Sequence, residues 1–323
     1  MRLRFVPDNT KINFFAPWAM KFWLAVSILG MVASVVLFLT MGLNYGVDFR
    51  GGTIIMTSTR EDVPVSEYRE MLNALNFGEV NVTEVSDDTG QGRHLVLMRL
   101  GITGDDPDSQ QAVITEVRGA LTAKWPDIQF LQVDSVGAKV SGELVVDGIL
   151  AVVLSFLGIM IYVWMRFEWQ FALGAVASLV HDAILVVGLF ALTQMEFNLT
   201  IVAAILTVIG YSINDTVVVF DRVREVLRKY KRMPLAEVLN LALNETLSRT
   251  VMTSSTTLIA LIAIYLFGGP TVEGFAAAVI FGVLIGTYSS IYVASAVVLY
   301  FGVRGDFGSK EGDGARKKRR AAA

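Results

Sequence analysis

An aspartate stands at position 215 inside an otherwise apolar run, in Gly210-Tyr-Ser-Ile-Asn-Asp-Thr-Val-Val-Val-Phe-Asp-Arg222. In hydrocarbon an ionisable side chain costs at least about 2.5–3.5 kcal/mol, so its presence there needs a reason. Ser212 and Tyr211, three and four residues earlier, bring hydroxyls to the same helical face, and Asn214 is adjacent. Arg222 follows seven residues on, about 10 Å along a helix. The next apolar run opens Leu247-Ser-Arg249-Thr250, with Thr253 and Thr256 on the face of Arg249. The spacing predicts an Asp215–Arg249 pair between adjacent helices, direct or through water. A carboxylate's proton affinity follows its surroundings, whereas a guanidinium stays charged. That asymmetry suits a proton relay. A static buried ion pair that fixes helix packing is the alternative reading.

His181-Asp182 is a second candidate, in the middle of another apolar run with Ser178 one turn before. An acid at that depth can join a proton path or cap a neighbouring helix. Ser254-Ser-Thr-Thr257 and Ser289-Ser290 read as structural glue, because hydroxyls in such helices bond back to their own backbone. Gly282 and Gly286 have the small-xxx-small spacing of close helix packing. There are no cysteines, which excludes disulfides, thiolate chemistry and thiolate metal sites. The two histidines, His94 and His181, are far apart, so no metal site is expected, and His94 reads as an exposed strand residue. No catalytic motif appears. An intramembrane aspartyl protease would need facing acids, and Asp182 and Asp215 differ in estimated depth by about 8 Å.

These groups must be held by helices that cross a membrane. Hydrophobic residues make up 54% of the 323 and charged residues only 18%, below the roughly 25% of soluble domains. Six runs are long enough for about 30 Å of hydrocarbon: 18–41, 147–166, 170–193, 199–221, 250–268 and 274–302. The first lacks a small-residue cleavage site and is read as a retained anchor. Segment 1–21 carries a net charge of +3, 222–249 carries +4 and the tail from Arg304 carries +4. With six spans all three lie on one side, which the positive-inside rule makes the cytoplasm. Both termini are then inside. Segment 222–248, split at Met233-Pro234, reads as an amphipathic connection lying on the membrane surface, its bases near anionic lipid.

The stretch between the first two spans is patterned as a soluble α+β domain. Strands are expected at 53–59, 80–85, 94–99 and 128–133, with helices at 65–76 and 107–124 and a turn at Asp87–Gly90. The order β-α-β-β-α-β is ferredoxin-like. The expected architecture is therefore a polytopic α-helical membrane protein. It divides into an N-terminal segment 1–17, a first span 18–41, an external domain 42–141, five further spans within 142–302 and a basic disordered tail 303–323.

Several strings resemble the SecD/SecF protein-export family of the resistance-nodulation-division superfamily. Gly46-Val-Asp48-Phe49-Arg-Gly51-Gly52 is similar to its glycine-rich signature, whose glycines suit a tight entry into the first strand. The strings around His181-Asp182, Gly210–Asp215, Glu245–Thr250, Phe267–Pro270 and Gly286–Ile291 follow in family order. The resemblance implies a bacterial inner-membrane subunit with a periplasmic soluble domain. SecD would supply a second set of six helices, and SecYEG would be the channel served, with YajC and YidC as further partners. The unfolded preprotein and membrane lipid would be contacted, and nucleic acid would not. The same resemblance implies coupling to the proton-motive force without any cofactor, sodium being the alternative ion, and carries the proton path onto Asp215 and Arg249. A passive scaffold and a small-molecule efflux subunit are the competing functions.

Overall fold

The computed structural model describes residues 11–75, 77, 80–85, 93–101 and 107–303. The basic tail, the turn at Asp87–Gly90 and most of the N-terminal segment fall outside them. In chain order the elements are α1 (Pro17–Met41), β1 (Asn44–Tyr45), α2 (Val47–Arg50), β2 (Gly52–Thr59), α3 (Val65–Ala74), β3 (Val80–Val85), β4 (His94–Leu100), α4 (Pro107–Lys124) and β5 (Gln129–Val136). Then follow α5 (Ala138–Arg166), α6 (Trp169–Thr193), β6 (Glu196–Phe197), α7 (Leu199–Lys229), α8 (Leu235–Phe267), α9 (Pro270–Ser289), a π-helical turn (Ser290–Ala294) and α10 (Ser295–Phe301). Among the described residues, six helical stretches are long and apolar enough to cross a membrane, the last being α9 through α10.

The central helix of the bundle is α6, which packs on α1, α5, α7 and α9. Small residues set the crossings. A Cβ at Gly282 would overlap the Val208 side chain, and one at Gly286 would sit 3.1 Å from Ser212, so α9 and α7 approach closely there. The outer helices α1 and α5 bury few side chains and turn long apolar faces outward.

Helix ends depart from the expected spans. The second span starts at Ala138 rather than 147, α7 continues to Lys229, and α8 starts at Leu235 rather than 250. Backbone hydrogen bonds do not stop at the hydrocarbon boundary, so a helix can run on into water while its bonds continue. The expected surface-lying connection over 222–248 is corrected accordingly. Its two halves are the ends of α7 and α8, and their apolar side chains (Val223, Val226, Val238, Leu239) are buried against Phe14, Phe167 and Phe171. Arg222 Nε donates to Glu245 at 2.6 Å across the pair. Asn240 and Asn244 each accept a backbone N–H at 2.8 Å, from Phe14 and Ile12. An apolar face that lipid was expected to cover is covered by the chain itself.

Between α1 and α5 stands a four-stranded antiparallel sheet in the order β3-β4-β2-β5. Every residue of the central strand β2 is buried. Ile55, Val82 and Met98 pack against Tyr68 and Leu72 of α3 and Val117 and Leu121 of α4. Proline 64 precedes α3 with φ −59°, preset for helix entry. His94 is one-third exposed, its Nδ1 3.4 Å from Asp62 and 4.0 Å from Glu84.

Candidate functional site

Asp182 lies fully buried where α6, α7 and α9 meet. Ser212 Oγ of α7 donates to its Oδ2 at 2.7 Å, and Ser289 Oγ of α9 donates to the same oxygen at 2.9 Å. His181 Nδ1 lies 3.0 Å from Oδ1. Ser178 Oγ, one turn earlier on α6, meets Ser289 Oγ at 2.9 Å. The missing side chain at Gly286 eases this convergence, since a Cβ there would press on Ser212 at 3.1 Å. Each carboxylate oxygen thus has a polar partner, the arrangement a buried charge requires. The Tyr288 ring stands 6.0 Å from that of His181, and its hydroxyl donates to Trp23 O at 2.6 Å and bonds Ser27.

Asp215, one turn along α7 from Ser212, is only 3% exposed, yet its Oδ2 has no hydrogen-bond partner among the described residues. Tyr211 Oη and Thr216 Oγ1 on the same helix are likewise buried without a partner. The direct form of the expected Asp215–Arg249 pair is not present: no described ion pair within 4.0 Å joins them. The reason is facing. Asp215 points into the bundle, while Arg249 is exposed on α8, with its charge still reaching the aspartate. Asn214 is also exposed.

The supporting hydroxyls are distributed otherwise than their spacing suggests. Thr253 donates to Arg249 O and Thr250 O, and Thr256 to Met252 O and Thr253 O, so both bond their own helix. Ser212 serves Asp182 rather than Asp215. Ser289, read as glue, is a ligand of Asp182, and Ser254 bonds Thr287 across α8 and α9 at 2.7 Å. Ser212, which donates to Asp182, stands one helical turn before Asp215 on α7.

The glycine-rich signature builds a second site at the sheet end of the bundle. Gly51 and Gly52 have φ of 75° and 118°, backbone that other residues rarely adopt, and lead straight into β2. Asp48 Oδ2 accepts the N–H of Leu199, the first residue of α7, at 2.8 Å. Asn198 caps the same helix, accepting from Ile201 at 3.2 Å. Gly46 N donates to Phe197 O at 2.9 Å, and β1 pairs in parallel with β6. Phe49 lies on Phe197, ring centres 5.9 Å apart. Arg99 of β4 reaches across to Glu196 in a partly buried ion pair. In sequence, Glu196-Phe-Asn198 is a polar break between two apolar runs; nothing local announces that it receives the signature.

A bundle of six crossing helices with buried acids, carrying an α+β domain after its first helix, is the architecture of a polytopic membrane transport subunit. The comparisons with known proteins narrow this. Residues 116–304 match the model described as "Protein export membrane protein SecD/SecF, C-terminal", and residues 36–55 match the "SecD/SecF GG Motif". The chain is 52% identical over 303 residues to protein translocase subunit SecF of Cereibacter sphaeroides, covering 94% of this chain and 93% of the relative. It is 48% identical to the Rhodobacter capsulatus SecF, covering 94% and 92%. It is 43% identical to the SecDF subunit of Brucella abortus, covering 94% of this chain but 39% of that longer protein. The crystal structure of SecDF from Thermus thermophilus, a translocon-associated membrane protein, matches with TM-score 0.80 at 32% identity, over 94% of this chain and 40% of that one. The chain belongs to the SecF family of protein translocase subunits.

Proposed function

We propose that this subunit of the protein-export translocase draws on the proton-motive force through Asp215, in partnership with SecD. The observation that carries the reading is a carboxylate oxygen buried in the membrane bundle without a partner, one turn from an aspartate whose oxygens are all engaged. A buried polar group left unsatisfied is costly. Gaining a proton relieves that cost and weakens the hold of Arg249's charge, so two protonation states favour two helix arrangements.

The exposed polar side chains of α7 and α8 support SecD as the partner. Arg249, Asn214, Thr207 and Thr256 face outward from the bundle, where lipid is a poor neighbour for a guanidinium. A second six-helix bundle would cover them, and the longer SecDF relatives carry such additional chain. The basic ends of α7 and α8 favour a cytoplasmic location for that side, which puts the sheet in the periplasm of the inner membrane. The strand order of that domain fits a ferredoxin-like fold, and its position suits contact with preprotein leaving SecYEG. Asp182 and His181 act in this reading as the fixed polar anchor beside Asp215.

The test is gradient-dependent export of a secreted reporter in cells carrying Asp215→Asn, with protein level and SecD co-purification measured alongside. Loss of export with the complex intact is expected. Normal export would reduce Asp215 to a packing residue and leave a scaffold as the function.

A further inference from the structure

The loop that receives the signature is also the start of the helix that carries Asp215. We infer that Asp48 and the Arg99–Glu196 pair are positioning residues for gradient-driven export, clamping the external domain to the first turn of α7 so that α7 and the sheet move as one body. The inference rests on the proposed role of Asp215. It assigns the transmission route, which that role leaves open.

Four kinds of contact converge on residues 194–199. The first is a helix cap shared between segments: Asp48 from the signature and Asn198 from the loop each take an amide of the first turn of α7. A carboxylate at a helix N-terminus is also favoured by the helix dipole. The second is main chain, with β1 laid parallel to β6 and Gly46 bonded to Phe197 O. Gly46 leaves room for the Glu196 carboxylate, which a Cβ there would displace, and keeps clear of Asn198 Cβ, which that atom would approach to 3.1 Å. The third is charge. Arg99 sits in β4, hydrogen-bonded to β2, so its pair with Glu196 ties the sheet itself to the loop. Both side chains are about four-fifths buried, and a charge-assisted bond there resists water and salt. The fourth is a clasp on α1: Gln194, held at φ 55°, donates to Gly42 O at 3.2 Å, and its own carbonyl accepts from Asn44 at 3.0 Å.

Sheet and membrane helices also meet elsewhere: the chain enters α5 directly from β5, α5 packs on α2, and Thr271 of α9 donates to Gln132 of β5 at 3.4 Å. These contacts are sparser than those on the loop, since α5 buries just two of its residues, so a shift of α7 reaches the sheet chiefly through residues 194–198. Asp215 is sixteen residues from Leu199, about 24 Å along one continuous helix.

The first arm of the test measures gradient-dependent export for Arg99→Glu, Glu196→Arg and the double swap, with protein level and SecD co-purification recorded. Each single reversal sets like charges together and is expected to remove most of the gradient-dependent increment while the complex persists. The swap is expected to restore at least half of it. Unaffected single variants, or a swap no better than either, would overturn the inference. A second arm uses the absence of native cysteines. Tyr45→Cys with Phe197→Cys, partners in the β1–β6 register, can be bridged or reduced in the same preparation. A joint that stays closed exports as well bridged as reduced. Export that stops on bridging and returns on reduction would mean the joint must open, and the inference fails. Asp215→Asn run in parallel separates the two claims. Normal export there sinks the role of Asp215 itself, whereas a dead Asp215→Asn beside normal joint variants sinks only the clamp.

Discussion

Asp182 and Asp215 are both buried acids in the middle of apolar helices, yet the protein treats them differently. Asp182 is engaged at both oxygens by groups from three helices, with Ser212 and Ser289 on one side and His181 on the other. Asp215, a turn away, keeps an oxygen with no partner. A carboxylate engaged at both oxygens fixes the helices that reach it, although His181 Nε2 beside it is buried without a partner among the described residues. An unengaged carboxylate oxygen is instead a place where a second arrangement can be nearly as good. The contrast sets a partnered acid on α6 against an unpartnered one on α7. It also explains why Ser212 serves the neighbour: a hydroxyl committed to Asp182 is unavailable to Asp215.

The largest effect that would break this contrast is on stability. Asp182→Ala opens a void and strands three hydrogen-bonding partners, each expected to cost about 1–3 kcal/mol when left buried without a partner. A thermal unfolding midpoint of the purified protein should drop sharply for Asp182→Ala and hardly move for Asp215→Asn. Equal drops would erase the distinction. Ser289→Ala removes one donor to the carboxylate and is expected to cost about 1.5–3 kcal/mol in the same measurement. Thr256→Ala, whose hydroxyl bonds only its own helix, is the control that should stay near wild type.

Gly286→Val tests the crossing that the Asp182 cluster needs. The added side chain would press on Ser212, and overpacking of this kind costs about 1–3 kcal/mol. Its signature should be loss of stability without selective loss of gradient dependence.

Glu168, a second poorly partnered acid, lies outside the membrane spans and gives the smallest effect. Burial pushes its carboxyl above the usual glutamate range, with Arg224 and Arg228 pulling part of the way back. A raised folded value means the folded state holds its proton more tightly. Ionisation therefore costs stability at neutral pH, a cost absent once the pH falls below the normal glutamate value. Glu168→Gln should be slightly more stable than wild type at pH 7 and equal to it in acid. The gain is small because the group is largely solvent-screened. A gain that grew towards acid pH would contradict this account.

Sequence pattern identifies the helices because a span is a local property: enough apolar residues in a row. It identifies Asp215, Arg249, His181 and Asp182 as candidates for the same reason, each being a costly group in an apolar run. The partners are another matter. That Ser289 bonds Asp182, or that Arg249 faces outward, depends on how α6, α7 and α9 cross, and the crossing is set by small residues such as Gly282 and Gly286 on one helix meeting specific side chains on another. The outward run of α7 and α8 beyond the membrane was read as a surface helix because an apolar face looks the same whether lipid or Phe14 and Phe171 will cover it. Likewise the glycines of the signature are legible as turn residues, but Asp48 as a cap for a helix 151 residues later is not.

The central proposal is that Asp215 exchanges a proton. An infrared titration of the purified complex in lipid, following the carbonyl stretch of protonated carboxyl groups, tests it directly. The account expects a pH-dependent component of that band that is lost in Asp215→Asn and remains in Glu168→Gln. A difference spectrum unchanged in Asp215→Asn would contradict it.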